Sequence, residues 1–122
     1  MKDLEGLKAR TRNFAVRIIR LYSALPKRTD AQVLGKQVLR SGTSVGAHFR
    51  EGMRAKSKAD LISKLEGCLQ ELEETQYWLE LLIESGLVDS QKLGPLLKES
   101  DELIAIFVAI TKSIKGKQIH NS

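Results

Sequence analysis

The chain has 122 residues, 42% of them hydrophobic and 29% charged, with a formal net charge of +5. That length suits a single domain spanning residues 1–122, able to bury roughly two thirds of its unfolded surface. One cysteine excludes an internal disulfide and a cysteine zinc cluster; the charged start (Lys2, Asp3, Glu5) lacks a signal-peptide core, and the longest apolar run, residues 103–110, is too short to cross a bilayer, so a cytoplasmic protein with no membrane partner is expected. The charge is unevenly placed: residues 1–56 hold 13 Lys/Arg against 4 Asp/Glu, whereas residues 57–87 hold 2 against 7. A basic half beside an acidic helix gives an oriented field suited to an anionic partner or to charge-matched self-association.

Spacing predicts four helices, at about residues 3–24, 30–55, 58–85 and 90–115. In the first, Leu4, Leu7, Thr11, Phe14, Ile18, Leu21 and Leu25 recur at steps of three and four, and Leu25-Pro26 stops the helix. The second opens at Thr29, with Gln32 placed to complete a capping box, and carries the stripe Ala31, Leu34, Val38, Ser41, Val45, His48 and Gly52. In the third, Ser57 caps with Asp60 three residues on. Its stripe is Ile62, Leu65, Leu69, Leu72, Gln76, Leu79 and Ile83, widened by Leu61, Cys68, Thr75 and Leu82, and Ser85-Gly86 ends it. The fourth follows Asp89 with Leu93, Leu96, Ser100, Leu103, Phe107, Ile110 and Ile114. Pro95 predicts a tight turn or a start near Gly94, and Gly116 should close the helix before a frayed tail at residues 117–122. No stretch shows sustained two-residue alternation. The fold class expected is all-α, an antiparallel up-down-up-down four-helix bundle.

The stretch RSGTSVGAHFREG, residues 40–52, holds three glycines and three hydroxyl residues where the pattern wants helix. A phosphate-binding loop would need Lys-Ser/Thr after its last glycine and a strand before it; Gly46 is followed by Ala47-His48 and no strand precedes it. Small side chains instead let a neighbouring helix approach closely, at about 1 kcal/mol of lost helix propensity per glycine.

Together with RAKSKADLISKLEGCLQELEETQYWLELL, which follows on residues 54–82, this segment resembles the small four-helix-bundle family associated with intervening sequences in 23S rRNA genes, once labelled S23 ribosomal protein. That family also includes the accessory variability proteins of diversity-generating retroelements. The resemblance is strongest over residues 38–84, and His48 stands where the family usually has asparagine. It implies a four-helix bundle assembling into a ring-like homo-oligomer, commonly a pentamer. For the retroelement members it implies a basic surface that binds nucleic acid and a larger partner enzyme, a reverse transcriptase. No enzymatic activity is established for the family.

Independently of that likeness, Lys36, Arg40, Thr43, Ala47, Arg50 and Arg54 lie on one outward stripe of the second helix, with Arg10 and Arg17 forming a similar row on the first and Arg12, Arg20, Lys27 and Arg28 nearby. Such residues give RNA or DNA affinity that is sequence-independent and falls with salt. The same cations could instead stay solvated, pair with Glu66, Glu73, Glu80 or Glu84 of another copy, or dock an acidic protein partner. No aromatic row accompanies them, so base stacking is not expected. His48 and Glu51, with Glu71 and Glu74, reverse the order of a bundle di-metal site, and the only other histidine is His120; no metal, cofactor or enzyme activity is expected. Cys68 should be a small buried hydrophobe. Tyr77, Trp78 and Leu82, with the surplus apolar Ile106 and Val108, form the expected oligomer interface.

Overall fold

Four helices account for nearly the whole chain: α1 (Asp3–Ala24), α2 (Thr29–Met53), α3 (Lys58–Glu84) and α4 (Ser90–His120). The computed structural model describes residues 3–120, with side chains described over residues 4–116. Connections of a few residues force consecutive helices to run antiparallel, and α1–α2, α2–α3 and α3–α4 are the closely packed pairs. The α1–α4 seam that closes the bundle is the loosest. Among the described residues no strand occurs, and no helix is long and apolar enough to cross a membrane.

The core is one apolar cluster contributed by all four helices. Phe14 and Ile18 enter from α1, Val38, Val45 and Phe49 from α2, Leu65, Leu72, Leu79 and Leu82 from α3, and Leu103 and Phe107 from α4. Phe49 and Phe107 meet edge to face across the bundle, with ring centroids 5.8 Å apart, which ties α2 to α4. The buried row of α2 is Ala31, Gly35, Val38, Ser41, Gly42, Val45, Phe49 and Gly52. It is offset from the expected stripe: Phe49, not His48, is the core residue, and Gly35 takes the place given to Leu34. On α3 the two expected rows merge into one, Ile62, Leu65, Cys68, Leu72, Thr75, Leu79 and Leu82. On α4, Thr111 is buried where Ile110 was expected.

The hydroxyl-rich stretch of α2 stays helical because its side chains bond along the helix. Ser41 donates to the Gln37 carbonyl at 2.9 Å, Thr43 to that of Leu39 at 2.7 Å, and Ser44 to that of Arg40 at 2.6 Å. Ser41 also accepts from Thr75 Oγ1 at 2.8 Å, a buried tie between α2 and α3. One layer away, the Cys68 thiol points to the Val45 carbonyl at 3.4 Å. Burial pushes that thiol up to about 12, so Cys68 is an inert core residue.

Several helix ends differ from expectation. Thr29 lies inside α2, Arg28 is the capping position without a side-chain cap bond, and no capping box forms. Gln32 instead donates to the Pro26 carbonyl at 2.9 Å and accepts from the Tyr22 hydroxyl at 3.1 Å, fastening the turn to α1. Ser57 does cap α3, accepting from the Asp60 amide at 3.0 Å. Gly86, at φ 78°, supplies the left-handed turn that ends it. Asp89 accepts from the Gln91 amide at 2.8 Å and starts α4 before Pro95, which sits inside the helix. Both Pro95 and Gln91, whose carbonyl loses its helical partner, are on the exposed side, which makes the lost bond tolerable. Gly116 does not close α4, whose backbone continues to His120; the rest of the expected tail, and the His120 side chain, lie outside the described residues.

The α1–α2 contact is close because of glycine. A Cβ placed on Gly42 would lie 2.7 Å from Ile18 Cγ1 and 3.0 Å from two further atoms of that stiff, β-branched side chain. At Gly6 nothing lies within 4 Å. Gly6→Ala is therefore expected to stabilise the fold by about 1 kcal/mol through helix propensity and so raise the thermal midpoint. Gly42→Ala should lower it, since overpacking costs about 1–3 kcal/mol and exceeds that gain. Thermal melts of the two variants check the pair; a stabilised Gly42→Ala contradicts the close approach.

Candidate functional site

The cations of the two expected rows divide into two kinds. Arg40 leaves the outward row and reaches across to α3, bonding Glu74 at 2.6 Å and Glu71 at 3.4 Å. The bond to Glu74 raises its pKa. Arg10 is more tightly held, with Nε and Nη2 on the two oxygens of Glu99 at 2.7 and 2.8 Å and Nη2 also on Glu102 at 2.9 Å. This fork-to-fork geometry spans the α1–α4 seam. The hydrogen bond to Glu99 raises the Arg10 pKa, and the same bond lowers that of Glu99, whose side chain is only 15% exposed. Both arginines are spoken for within the chain.

Arg50 and Arg54 are exposed and make no ion pair among the described residues. They are joined by two cations outside the expected stripes, Lys8 and Arg12 of α1. Three adjoining depressions of about 420, 390 and 490 Å³ share Lys8 and Arg50; Arg12 lines the first two and Arg54 the third. Thr43, Gly46 and Ala47 floor the first depression, and their short side chains let the long cationic ones ring an opening between α1 and α2. Glu5 and Glu51 are the acidic residues on these linings, and Glu51 already faces His48 at 3.2 Å and Lys64 at 3.7 Å. The signal available in the sequence is the turn spacing of Lys8 and Arg12; what it lacks is the side of α2 that they adjoin. Lys36 is exposed elsewhere on α2, and Arg17 lines a separate cleft between α1 and α4.

His48 bridges α2 and α3. Its Nδ1 lies 3.2 Å from Glu51 and its Nε2 3.5 Å from Glu71, while the ring rests against Gly67, where a Cβ would come within 3.5 Å. Glu71 is shared with Arg40, so the imidazole belongs to a surface polar network. Among the described residues no group of three His, Cys, Asp or Glu is placed to hold a metal ion.

Of the expected interface residues, Leu82 is corrected: it is fully buried in the core of one chain and has no surface to offer. Tyr77 is 54% exposed and Val108 is also exposed, whereas Ile106 and Trp78 are half-buried. The Trp78 ring sits edge-on to Tyr77, centroids 5.0 Å apart, and its indole N–H is buried without a hydrogen-bond partner. Val33, at 57%, and Ile19 are exposed apolar residues outside the expected set.

A model of the family described as 23S rRNA-intervening sequence protein matches residues 3–109. A solved structure of a protein of unknown function from the S23 ribosomal protein family of Bacteroides thetaiotaomicron VPI-5482 is 42% identical. The alignment covers 92% of this chain and 99% of that one, with a TM-score of 0.85. No curated protein matches.

The Arg10 clamp makes stability depend on acid. Because the folded state depresses the Glu99 pKa, the clamp's contribution is fully present above the ordinary glutamate range and is lost as pH falls through the folded value. Urea melts should show wild type more stable than Glu99→Gln at neutral pH, with the gap closing as acid protonates Glu99. A gap that persists or widens in acid contradicts the clamp.

Proposed function

The chain belongs to the 23S rRNA-intervening sequence protein family, and on that premise we propose that it is a non-enzymatic, self-associating bundle that binds RNA or DNA through its α1–α2 face. The binding is of low sequence specificity and serves a cytoplasmic nucleic-acid process. The observation that carries this reading is the cluster of Lys8, Arg12, Arg50 and Arg54 on three depressions that share Lys8 and Arg50, with no ion pair among the described residues to neutralise it. Arg10 and Arg40 supply the contrast, since their carboxylate partners already use their donors.

Long side chains around a shallow floor suit phosphates, which they meet as point charges or bidentate forks. The depressions contain no aromatic residue, so there is no stacking platform and no means of reading bases by stacking. Affinity then comes from counterion release and drops steeply with salt. Self-association repeats the basic face and adds avidity. Exposed Tyr77 and Val108 are the apolar anchors for it, and the pentamer implied by the family likeness is the assembly favoured.

Fluorescence anisotropy with a generic RNA hairpin and a DNA duplex, each titrated with salt, tests the reading. Wild type should bind at low salt. The Arg12/Arg50/Arg54 triple alanine variant should bind more weakly with a shallower slope, by about one unit for each phosphate left without its arginine. Arg40→Ala should leave the slope unchanged. Equal binding by wild type and the triple variant overturns the proposal. Light scattering tests assembly separately: Tyr77→Glu with Val108→Glu should reduce the particle mass, and a monomeric wild type at micromolar concentration contradicts self-association.

A further inference from the structure

The seam between α1 and α4 is held by the Arg10 clamp near the middle of α1. Between the last two turns of α1 and the start of α4 lies a cleft of about 490 Å³. Its floor is apolar: half-buried Leu21, Leu87 and Val88 line it, backed by Leu25, Leu93 and Leu96, which belong to the buried core. Its rim is basic: Arg17 and Arg20 stand one turn apart on α1, and Lys92 stands on α4. None of the three makes an ion pair among the described residues. The one carboxylate of the lining, Asp89, is already engaged in accepting from the Gln91 amide at the start of α4. Ala24, a turn beyond Arg20, also lines the cleft and is exposed.

These features select a class of occupant. A nucleic-acid backbone would satisfy the cations but leave the leucine floor unfilled, and the lining offers no aromatic on which a base could stack. A wholly apolar partner would leave three cations without a counter-charge at its edge. What satisfies both parts is an apolar side chain seated on the leucines with carboxylates on either side of it. Because Arg17 and Arg20 repeat at one helical turn, the matching carboxylates also repeat at one turn. The cleft lies along the seam of two antiparallel helices, which is the bed for a third.

We propose that the α1–α4 cleft docks an acidic amphipathic helix of a partner protein, with a leucine or aromatic anchor on the floor and carboxylates on Arg17, Arg20 and Lys92. The cleft shares no lining residue with the depressions between α1 and α2, so the two surfaces are separable by mutation. A bundle with both would hold a nucleic acid on one face and a protein on another. Electrostatic attraction between the acidic helix and the rim speeds encounter, while the anchor residue holds the complex.

The probe is a synthetic, fluorescently labelled helical peptide with leucines on one face and glutamates flanking them, set against the same peptide with lysine in place of glutamate. With the full-length chain, the glutamate peptide should bind and the lysine peptide should not. Arg17→Glu with Arg20→Glu should weaken the glutamate peptide by about tenfold or more. Lys92→Glu should weaken it from the α4 side, and Ala24→Trp should block the mouth without changing charge. The Arg12/Arg50/Arg54 triple alanine variant should bind it as wild type does, whatever happens to nucleic acid. Binding unchanged by both rim reversal and Ala24→Trp overturns the proposal. Displacement of the peptide by generic RNA assigns the cleft to nucleic acid and overturns it as well. So does a rim reversal that lowers the particle mass while the peptide fails to bind wild type, because the occupant is then a second copy.

Discussion

Ile18 of α1 occupies the space that a side chain at residue 42 of α2 would need. That single exclusion sets the distance between the first two helices, and the layers around it follow. With Gly42 against Ile18, Ser41 beside it reaches Thr75 of α3, so α2 is gripped from both sides at the same level. The Cys68 thiol on the Val45 carbonyl and the Phe49–Phe107 pair extend the same register along the bundle. α2 is thus the spine, and the small residues that look costly for a helix are what its two neighbours require. Their i−4 hydroxyl bonds keep the backbone satisfied while the side chains stay short.

The same spine decides which cations are available. Close packing of α2 on α3 brings Arg40 within reach of Glu71 and Glu74, and the α1–α4 seam brings Arg10 to Glu99 and Glu102. Arginine forks on carboxylates are strong where they are partly sheltered, so these two residues are structural. On the other side, close packing of α1 on α2 over Gly46 and Ala47 leaves a shallow opening between Lys8, Arg12 and Arg50. Positive charge is concentrated there because, among the described residues, these cations form no ion pair, and Glu51 on the neighbouring lining is engaged with His48 and Lys64. Family membership and the 42% identical bundle agree with this architecture; the relative's own function is unknown.

Much of the fold is legible in the sequence. Steps of three and four place four helices, Ser57 and Gly86 announce the ends of α3, and RSGTSVGAHFREG with its sequel carries the family likeness. The misplacements have a common origin. A stripe chosen by apolar character drifts when the true core positions are glycine, so the pattern rotates α2 toward His48 and away from Phe49. Gln32 has partners in Pro26 and Tyr22 that lie outside local capping logic, and Pro95 is tolerated because its broken bond faces water. For the basic residues, spacing gives the face of a helix but says nothing of what lies across the seam. Pattern accordingly puts Arg10, Arg40 and Leu82 on a free surface, whereas packing engages all three within the chain.

Backbone amide chemical shifts of the isotopically labelled protein, followed while a generic RNA duplex is titrated in, separate the α1–α2 face from every other basic surface of the bundle. Changes should concentrate at Lys8, Arg12, Gly46, Ala47, Arg50 and Arg54 and fade with added salt, with Arg40, Glu74 and Glu99 unmoved. Changes centred on Arg40 and α3, or spread evenly over every exposed lysine and arginine, would contradict it.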